Sequence, residues 1–530
     1  MAARPKFPPQ IPFIIGNEAC ERFSFYGMRN ILRPFLAASL LMYLPLAERQ
    51  GAAKDVFHTF LMGVYFFPLL GGWISDRFAG KYKTIYGFSL LYCLGHGFLS
   101  VFESSKTGFY LGLFFIALGS GGIKPLVSSF VGDQFDNKNS AQAKTVFAIF
   151  YWSINLGSLF ASMFMKPLLN WQGPTIAFAV PGILMLIATA LFIAGRKRYV
   201  ITAPAGRNPH SFLRVVFSAL FAKPTLPQAQ VGRAPKSMTR RPLAYAVLAL
   251  GVAGIGASIY LGYKVEDAAI GIVLAIVMIM ASVAIAASLT LEQARGHHPN
   301  EIIDGVRSVL RLLVVFALVS PFWSLFDQKA TVWVVQSGVM EMPSWLDKDQ
   351  TQMINPAMVL IIIPFNTWVL FPFLQRRGVN LAPLRKMAAG ILFASLAWVT
   401  VGVLQLLIDD GAQLSFLWQM LPYFLLTFGE VLVSTTGLEF AYSQAPLPMK
   451  GVIMSFWSLA VTVGNLWVLL SDAAVKNATV TERIADTGLS NTAFLMFFFA
   501  GFAALAAWMF ALYARNFKMV DNYRRDTSQP

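Results

Sequence analysis

Apolar runs long enough to cross a lipid bilayer recur along the whole chain, and no other property narrows its folding so far. A helical span needs about 20 predominantly apolar residues, and in hydrocarbon every backbone polar group must be paired inside the protein. Reading the stretches between charged or Pro/Gly breaks places helices near 11–43, 56–78, 84–104, 108–131, 143–170, 174–195, 243–262, 267–289, 306–336, 353–375, 385–408, 414–441, 450–474 and 491–514. Fourteen spans leave no room in 530 residues for a large soluble domain, so the expected class is all-α integral membrane. Composition agrees, since charged residues are 13% of the chain where soluble domains hold about 25%, and the mean hydropathy is +0.59. Cys20 and Cys93 both fall in apolar stretches, which gives no disulfide framework and no zinc or redox spacing. The opening MAARPKFPPQIPF lacks an apolar run followed by a small-residue cleavage site, so no removable signal is expected.

Charge then orients the spans. With a cytoplasmic N-terminus every even-numbered connection is cytoplasmic, and these hold most of the 42 Lys and Arg residues. They include Arg77, Lys81 and Lys83, ten residues from Arg196 to Arg241, and Arg376, Arg377, Arg385 and Lys386. This is the positive-inside bias, and it puts both termini in the cytoplasm. The net charge of +16 is spread over separate loops with no recognition module, which argues against nucleic acid and turns the basic surface toward anionic lipid headgroups. Residues 196–305 divide the chain into an N-terminal six-helix half, 1–195, and a C-terminal six-helix half with a cytoplasmic tail, 306–530. The middle section is a basic linker, 196–241, with room for a short surface helix, followed by the small-residue and aliphatic pair 243–262 and 267–289, expected to be structural or lipid-facing. Two matched halves around a midplane site is the build of many secondary transporters.

Ionisable groups inside spans are costly and mark function. Span 11–43 holds Glu18, Glu21, Arg22, Arg29 and Arg33, span 108–131 Lys124, span 306–336 Asp327 and Lys329, and span 414–441 Glu430. The spacing of Glu18, Glu21, Arg22, Tyr26 and Arg29 puts them along one helical face, which must line a cavity. Two carboxylates beside one guanidinium favour a titratable site over a static ion pair. Counting from the span ends at about 1.5 Å per residue sets Lys124 at the depth of Glu430 and Arg29 at that of Asp327. Each opposite pair is therefore expected to meet across the halves in at least one state, and pairs that break and re-form would act as gates.

The five histidines show no metal-ligand spacing, so no metal is expected. His210, His297 and His298 fall in cytoplasmic loops, His96 sits among apolar residues as a packing side chain, and His58, near the outer end of its span, is a candidate protonation site. No span carries a nucleophile beside a base, so no catalytic residue is assigned and an enzyme is not expected.

The run Glu18-Ala-Cys-Glu21-Arg22-Phe-Ser-Phe-Tyr26-Gly27 resembles the proton-dependent oligopeptide transporter family, a branch of the major facilitator superfamily, whose first helix carries Glu-x-x-Glu-Arg-Phe-x-Tyr-Tyr-Gly. Gly72-Trp-Ile-Ser-Asp76-Arg77 with Gly80-Lys81 is similar to the superfamily loop signature. Gly119-Ser-Gly-Gly-Ile-Lys124-Pro125, Phe130-Val-Gly-Asp-Gln-Phe135 and Phe150-Tyr151-Trp152-Ser-Ile-Asn155-Leu-Gly157 resemble further family signatures. Phe322-Trp323, Asp327-Gln328, Asn355-Pro356, Glu430 with Ser434 and Gly437, and Trp457 continue the match over essentially the whole chain outside the insertion, which resembles the extra helix pair of bacterial members. Three positions depart from the pattern: Phe25 stands for the first tyrosine, Asp327 for a usual glutamate, and Thr435 for a usual proline.

The resemblance implies proton-coupled import of di- and tripeptides by alternating access, in a bacterial inner membrane, by a monomer, with the proton gradient as energy source and no cofactor. A zwitterionic peptide needs a cation for its carboxylate and an anion for its ammonium. By similarity Arg22 and Lys124 hold the carboxylate, while Asp327 and Glu430, with Asn155, Asn355 and Ser434, face the amino end and backbone. Tyr26, Tyr65, Trp323 and Trp457 would line the side-chain pockets, Glu18 and Glu21 would carry the proton, and His58 matches a histidine of animal-type members. Rival readings are a carrier for another anion or conjugate, against which the complete Glu-x-x-Glu-Arg set with Lys124 argues, and a passive channel, whose flux would ignore a proton gradient.

Overall fold

Each of the fourteen expected spans is helical over most of its length in the computed structural model, which describes residues 7–136, 139–204, 209–222, 240–264, 268–344, 348–446, 449–475 and 477–519. The first five helices are α1 Ile11–Phe35, α2 Leu46–Ile74, α3 Gly80–Val101, α4 Lys106–Asp133 and α5 Ser140–Ala194. Spans 143–170 and 174–195 both lie in α5, where Gly173 (φ 75°) breaks the helical course just before Pro174. Only glycine takes that φ freely, so the bend sits where the sequence permits it. The middle section contributes α6 Phe212–Phe221, α7 Arg241–Lys264 and α8 Ala268–Thr290.

Span 306–336 begins as α9 Asn300–Gln328, passes through a π-helical turn at Lys329–Trp333 and ends in α10 Val334–Ser337. The next span is likewise interrupted: α11 Ile354–Phe365, a π turn, then α12 Phe371–Arg376. The remainder is α13 Pro383–Asp409, α14 Met420–Gln444, α15 Lys450–Val475, a short α16 Ala478–Ala485 and α17 Asn491–Asn516. Among the described residues ten helical runs are long and apolar enough to cross a membrane, and two of these, Thr59–Val101 and Gln142–Arg198, each cover most or all of two expected spans. The chain is a multi-pass membrane protein.

Glycines set how closely the helices approach. A Cβ on Gly71 of α2 would lie 2.4 Å from the carbonyl oxygen of Gly122 on α4, and one on Gly390 of α13 would lie 2.6 Å from that of Gly429 on α14. Within α1–α5, α1 lies along α5 while α3 and α2 flank α4; within α9–α17, α13 packs on α14 and α17, and α9 on α15. The two bundles meet where α5 touches α11 and α14 and where α2 and α4 touch α15. At the end of the molecule where α4 and α14 terminate, Tyr442 donates from Oη to Asp133 Oδ1 (2.8 Å). There Lys81 also pairs with Asp133 (2.6 Å), and Ser455 Oγ donates to the Pro68 carbonyl (3.0 Å). The inserted α7 and α8 pack on each other, with Gly251 against Ser282, and α8 rests on α9 and α15.

Candidate functional site

The middle of α1 carries the densest buried charge of the first bundle. Glu18, Glu21 and Arg22 are all buried, at 3%, 1% and 7% exposure. The Arg22 guanidinium pairs with Glu18 at 3.0 Å and also with Glu21, so one cation holds two carboxylates within a turn. Three of the five residues read onto one helical face, Glu18, Glu21 and Arg22, thus touch one another. Lys124 of α4 lies in the electrostatic field of Arg22, Glu21, Arg29 and Glu18. Its ammonium rests on the Phe25 ring, 3.3 Å from the centroid, with Tyr65 at 5.7 Å. Phe25, a departure from the family pattern, thus supplies the aromatic face on which the lysine sits.

Behind α1, Ser24 Oγ and His96 Nε2 are 2.9 Å apart, and the His96 ring stacks on Tyr92 at 5.1 Å. His96 is fully buried and hydrogen-bonded, as a packing histidine should be. Gly157 of α5 lets α1 come close enough for this arrangement, since a Cβ there would lie 2.4 Å from the Ala19 carbonyl oxygen.

The second bundle presents a complementary cluster. Glu430 of α14 accepts from Tyr151 of α5, which crosses between the bundles, and from Asn355 Nδ2 at 2.6 Å. Asn355 also donates to Thr427 Oγ1 (2.9 Å) and accepts from the Lys329 ammonium. Lys329 lies 3.4 Å from the centroid of Phe326. Each bundle therefore seats a lysine on a phenylalanine face near buried carboxylates. Asp327 accepts from Asn465 Nδ2 (2.6 Å) and lies in the field of Arg29. Tyr26, on α1, interacts electrostatically with Arg22, Arg29 and Glu430, which places it between the clusters. Asn155 donates to the Tyr151 carbonyl (3.0 Å), Ser434 is buried beside Tyr151, and Trp323 and Trp457 meet edge to face at 6.3 Å. The His58 side chain lies outside the described residues.

Neither of the two ion pairs expected across the bundles in at least one state is formed in this conformation. Lys124 does not pair with Glu430, because the lysine is engaged on Phe25 among the α1 carboxylates and Glu430 is satisfied by Tyr151 and Asn355. Arg29 and Asp327 form no ion pair either: among the described residues Arg29 lies over the Phe57 ring at 5.9 Å, while Asp327 turns to Asn465. Equal depth from the span ends says nothing about which partner is nearer within a bundle. Lys329 and Tyr151 were underused by the sequence reading. The available signal was charge balance, since Lys329 is the cation on α9–α14 that offsets Asp327 and Glu430; Asn465 gave no signal at all.

Two helical bundles joined around facing polar clusters, with an inserted helix pair at the side, define a membrane protein of the major facilitator fold. The family model described as the POT family matches residues 82–489. The solved structure of the POT family transporter PepTSo is 56% identical, covers 96% of this chain and 98% of its own, and superposes with a TM-score of 0.80. A structure described as a proton dependent oligopeptide (POT) family transporter is 52% identical over 94% of this chain and 100% of that one, with a TM-score of 0.70. Human solute carrier family 15 member 2 is 31% identical over 425 residues, 77% of this chain and 50% of that protein. The chain spans about half the length of the curated relatives it matches. It belongs to the POT family.

Proposed function

We propose that the chain imports di- and tripeptides together with protons by alternating access, as a monomer in a bacterial inner membrane with both termini cytoplasmic. The observation that carries this reading is the buried Glu18–Arg22–Glu21 set facing a second cluster of Glu430, Asn355 and Lys329. The two clusters offer a cation to a peptide carboxylate and an anion to a peptide ammonium. Arg22 and Lys124 serve the carboxylate, Glu430 and Asp327 with Asn155, Asn355 and Ser434 serve the amino end and backbone, and Tyr26, Tyr65, Trp323 and Trp457 bound the side chains. Glu18 and Glu21 carry the proton: when a peptide carboxylate draws Arg22 away, the abandoned carboxylate loses its counter-charge and takes up H⁺. His58 is a further proton acceptor near the outer surface. The halves are 1–195 and 306–530, with 196–305 inserted between them.

The decisive test is uptake of labelled dialanine into proteoliposomes with and without an acid-outside gradient. Accumulation above the external concentration that a protonophore collapses is the expected result. Flux indifferent to the gradient, or peptide consumed by the detergent-solubilised protein, overturns the proposal.

With the N-terminus inside, the end sealed by Tyr442, Asp133 and Ser455 is the cytoplasmic one. Arg29 and Asp327, nearer the opposite end, are then apart as an outward-facing state requires, and they pair when that end closes. Asp327 is one methylene shorter than the usual glutamate and already has Asn465 as a partner, so Asp327→Glu should favour the outward-closed state. In a double-mutant cycle on proton-driven uptake, Arg29→Ala and Asp327→Ala should each lower the rate strongly while the charge swap recovers part of it. Strictly additive losses with no recovery in the swap would show that the two never act as a pair.

The carboxylate clamp gives a second measurable consequence. Arg22→Lys keeps the charge and loses the planar guanidinium that can offer a peptide carboxylate two parallel N–H groups, so affinity for a free-acid dipeptide should fall about tenfold, equivalent to about 1.4 kcal/mol. A C-terminally amidated peptide should lose much less. Equal losses for both peptides in calorimetric titrations would remove Arg22 from the clamp.

A further inference from the structure

Helix α6, Phe212–Phe221, buries one face and leaves the other bare. Val215, Val216, Ala219 and Leu220 are buried, whereas Leu213, Phe217 and Phe221 are 69%, 66% and 51% exposed. The exposed three recur every fourth residue, forming a continuous apolar stripe down the helix. Arg214 stands at the edge of that stripe, and Leu213, Arg214, Phe217 and Phe221 line a shallow surface groove. A ten-residue helix in water gains nothing from such a stripe. Its position explains it. The Ala222 carbonyl accepts from Arg241 Nη2 (3.2 Å) and the Leu220 carbonyl from Tyr245 Oη (3.2 Å). These ties fix α6 beside the first turns of α7, where that span leaves the hydrocarbon. Arg240 is exposed at the same junction, so cationic side chains and apolar ones share a single edge.

We infer that α6 lies in the headgroup region of the bilayer and seats acidic glycerophospholipid, with Leu213, Phe217 and Phe221 among the acyl chains and Arg214, Arg240 and Arg241 at the phosphates. An amphipathic helix with aromatic and aliphatic residues on one side and arginine at its margin binds such an interface through buried apolar area plus headgroup attraction. The seat reaches the moving parts. Phe212 contacts Phe456 of α15 (ring centroids 6.2 Å apart), and the neighbouring Ser455 makes the inter-bundle hydrogen bond to Pro68. Lipid held at α6 therefore buttresses the sealed end through α15.

Spin labels on single cysteines introduced by Leu213→Cys, Phe217→Cys and Phe221→Cys, in a Cys20→Ser/Cys93→Ser background, test the placement in nanodiscs holding one copy of the full chain. Labels at the stripe should relax with oxygen and be shielded from a water-soluble nickel chelate. Nickel access at all three positions overturns the inference, as does shielding that arises only when two copies share a disc. For the headgroup, lipid retained by the protein from a phosphatidylcholine and phosphatidylglycerol mixture is counted by native mass spectrometry. Arg214→Gln should cut the preference for phosphatidylglycerol about fivefold, the weight of one basic residue at an anionic surface, with the fold unchanged by circular dichroism. An unaltered preference in the Arg214→Gln, Arg240→Gln and Arg241→Gln triple variant would reject acidic lipid as the occupant. Because both measurements read lipid and not transport, they stand or fall independently of the peptide reading.

Discussion

Gradient-driven uptake is expected to fall to background in Glu21→Gln, while exchange of peptide between loaded vesicles and medium should persist. The amide keeps the shape of the side chain and removes its capacity to titrate. Ordinarily, deleting one partner of a buried ion pair strands the other and costs about 3–5 kcal/mol. Here Arg22 retains Glu18 at 3.0 Å, so the guanidinium stays compensated and the helix stays in place. What is lost is the ion pair between Glu21 and Arg22, a decrease in thermal stability the fold can absorb because the guanidinium keeps its other carboxylate. Exchange requires only binding and reorientation of the loaded carrier, whereas accumulation requires a proton to travel with each cycle. If both activities disappear together in a folded variant, Glu21 is a structural anchor for Arg22 and the proton route lies elsewhere.

Much of this architecture could be read before any coordinates. Apolar length alone locates the helices because a bilayer forces backbone hydrogen bonds to close within each segment. The run from Glu18 to Arg29 could be placed on one face because 3.6-residue periodicity is a local property. Pairing across the bundles was not legible in the same way. Lys124 and Glu430 have matching depth and opposite charge, yet each finds its partners nearer by, on Phe25 and on Tyr151 and Asn355. Which contacts form depends on the rotation of each helix and on the state of the transport cycle, and neither leaves a periodic trace. Lys329 shows the same limit from another side. Its charge was visible inside a span, but the π turn at Lys329–Trp333 that it opens changes the register in which α9 continues, and such a turn has no simple sequence mark. The exposed stripe of α6 was hidden because the basic, proline-containing linker leaves room for a short surface helix while its composition fixes neither where that helix lies nor which face it exposes.

The other large effect falls on a residue with no side chain. A Cβ built on Gly157 would lie 2.4 Å from the Ala19 carbonyl oxygen, 2.8 Å from the Phe23 nitrogen and 3.1 Å from Arg22 Cβ. All three atoms belong to α1, and the first two are backbone, which cannot swing aside as a flexible chain end would. Carbon contacts are comfortable only near 3.5–4.0 Å, so Gly157→Ala must push α1 off α5 by roughly 1 Å at the level of Arg22. Overpacking of this kind costs about 1–3 kcal/mol. It also moves the Glu18–Arg22–Glu21 set relative to Lys124 and Glu430, and peptide affinity should fall about tenfold or more, since each 1.4 kcal/mol is a factor of ten. The control is Gly97→Ala on α3, where a Cβ meets nothing within 4 Å. There the alanine removes backbone freedom from the unfolded chain and should raise thermal stability by about 0.5–1 kcal/mol with affinity unchanged. Melting curves and dipeptide titrations on the two purified variants are therefore expected to move in opposite directions for stability and to separate for binding. If Gly157→Ala binds dipeptide like the parent protein, close seating of α1 on α5 is not what aligns the binding groups.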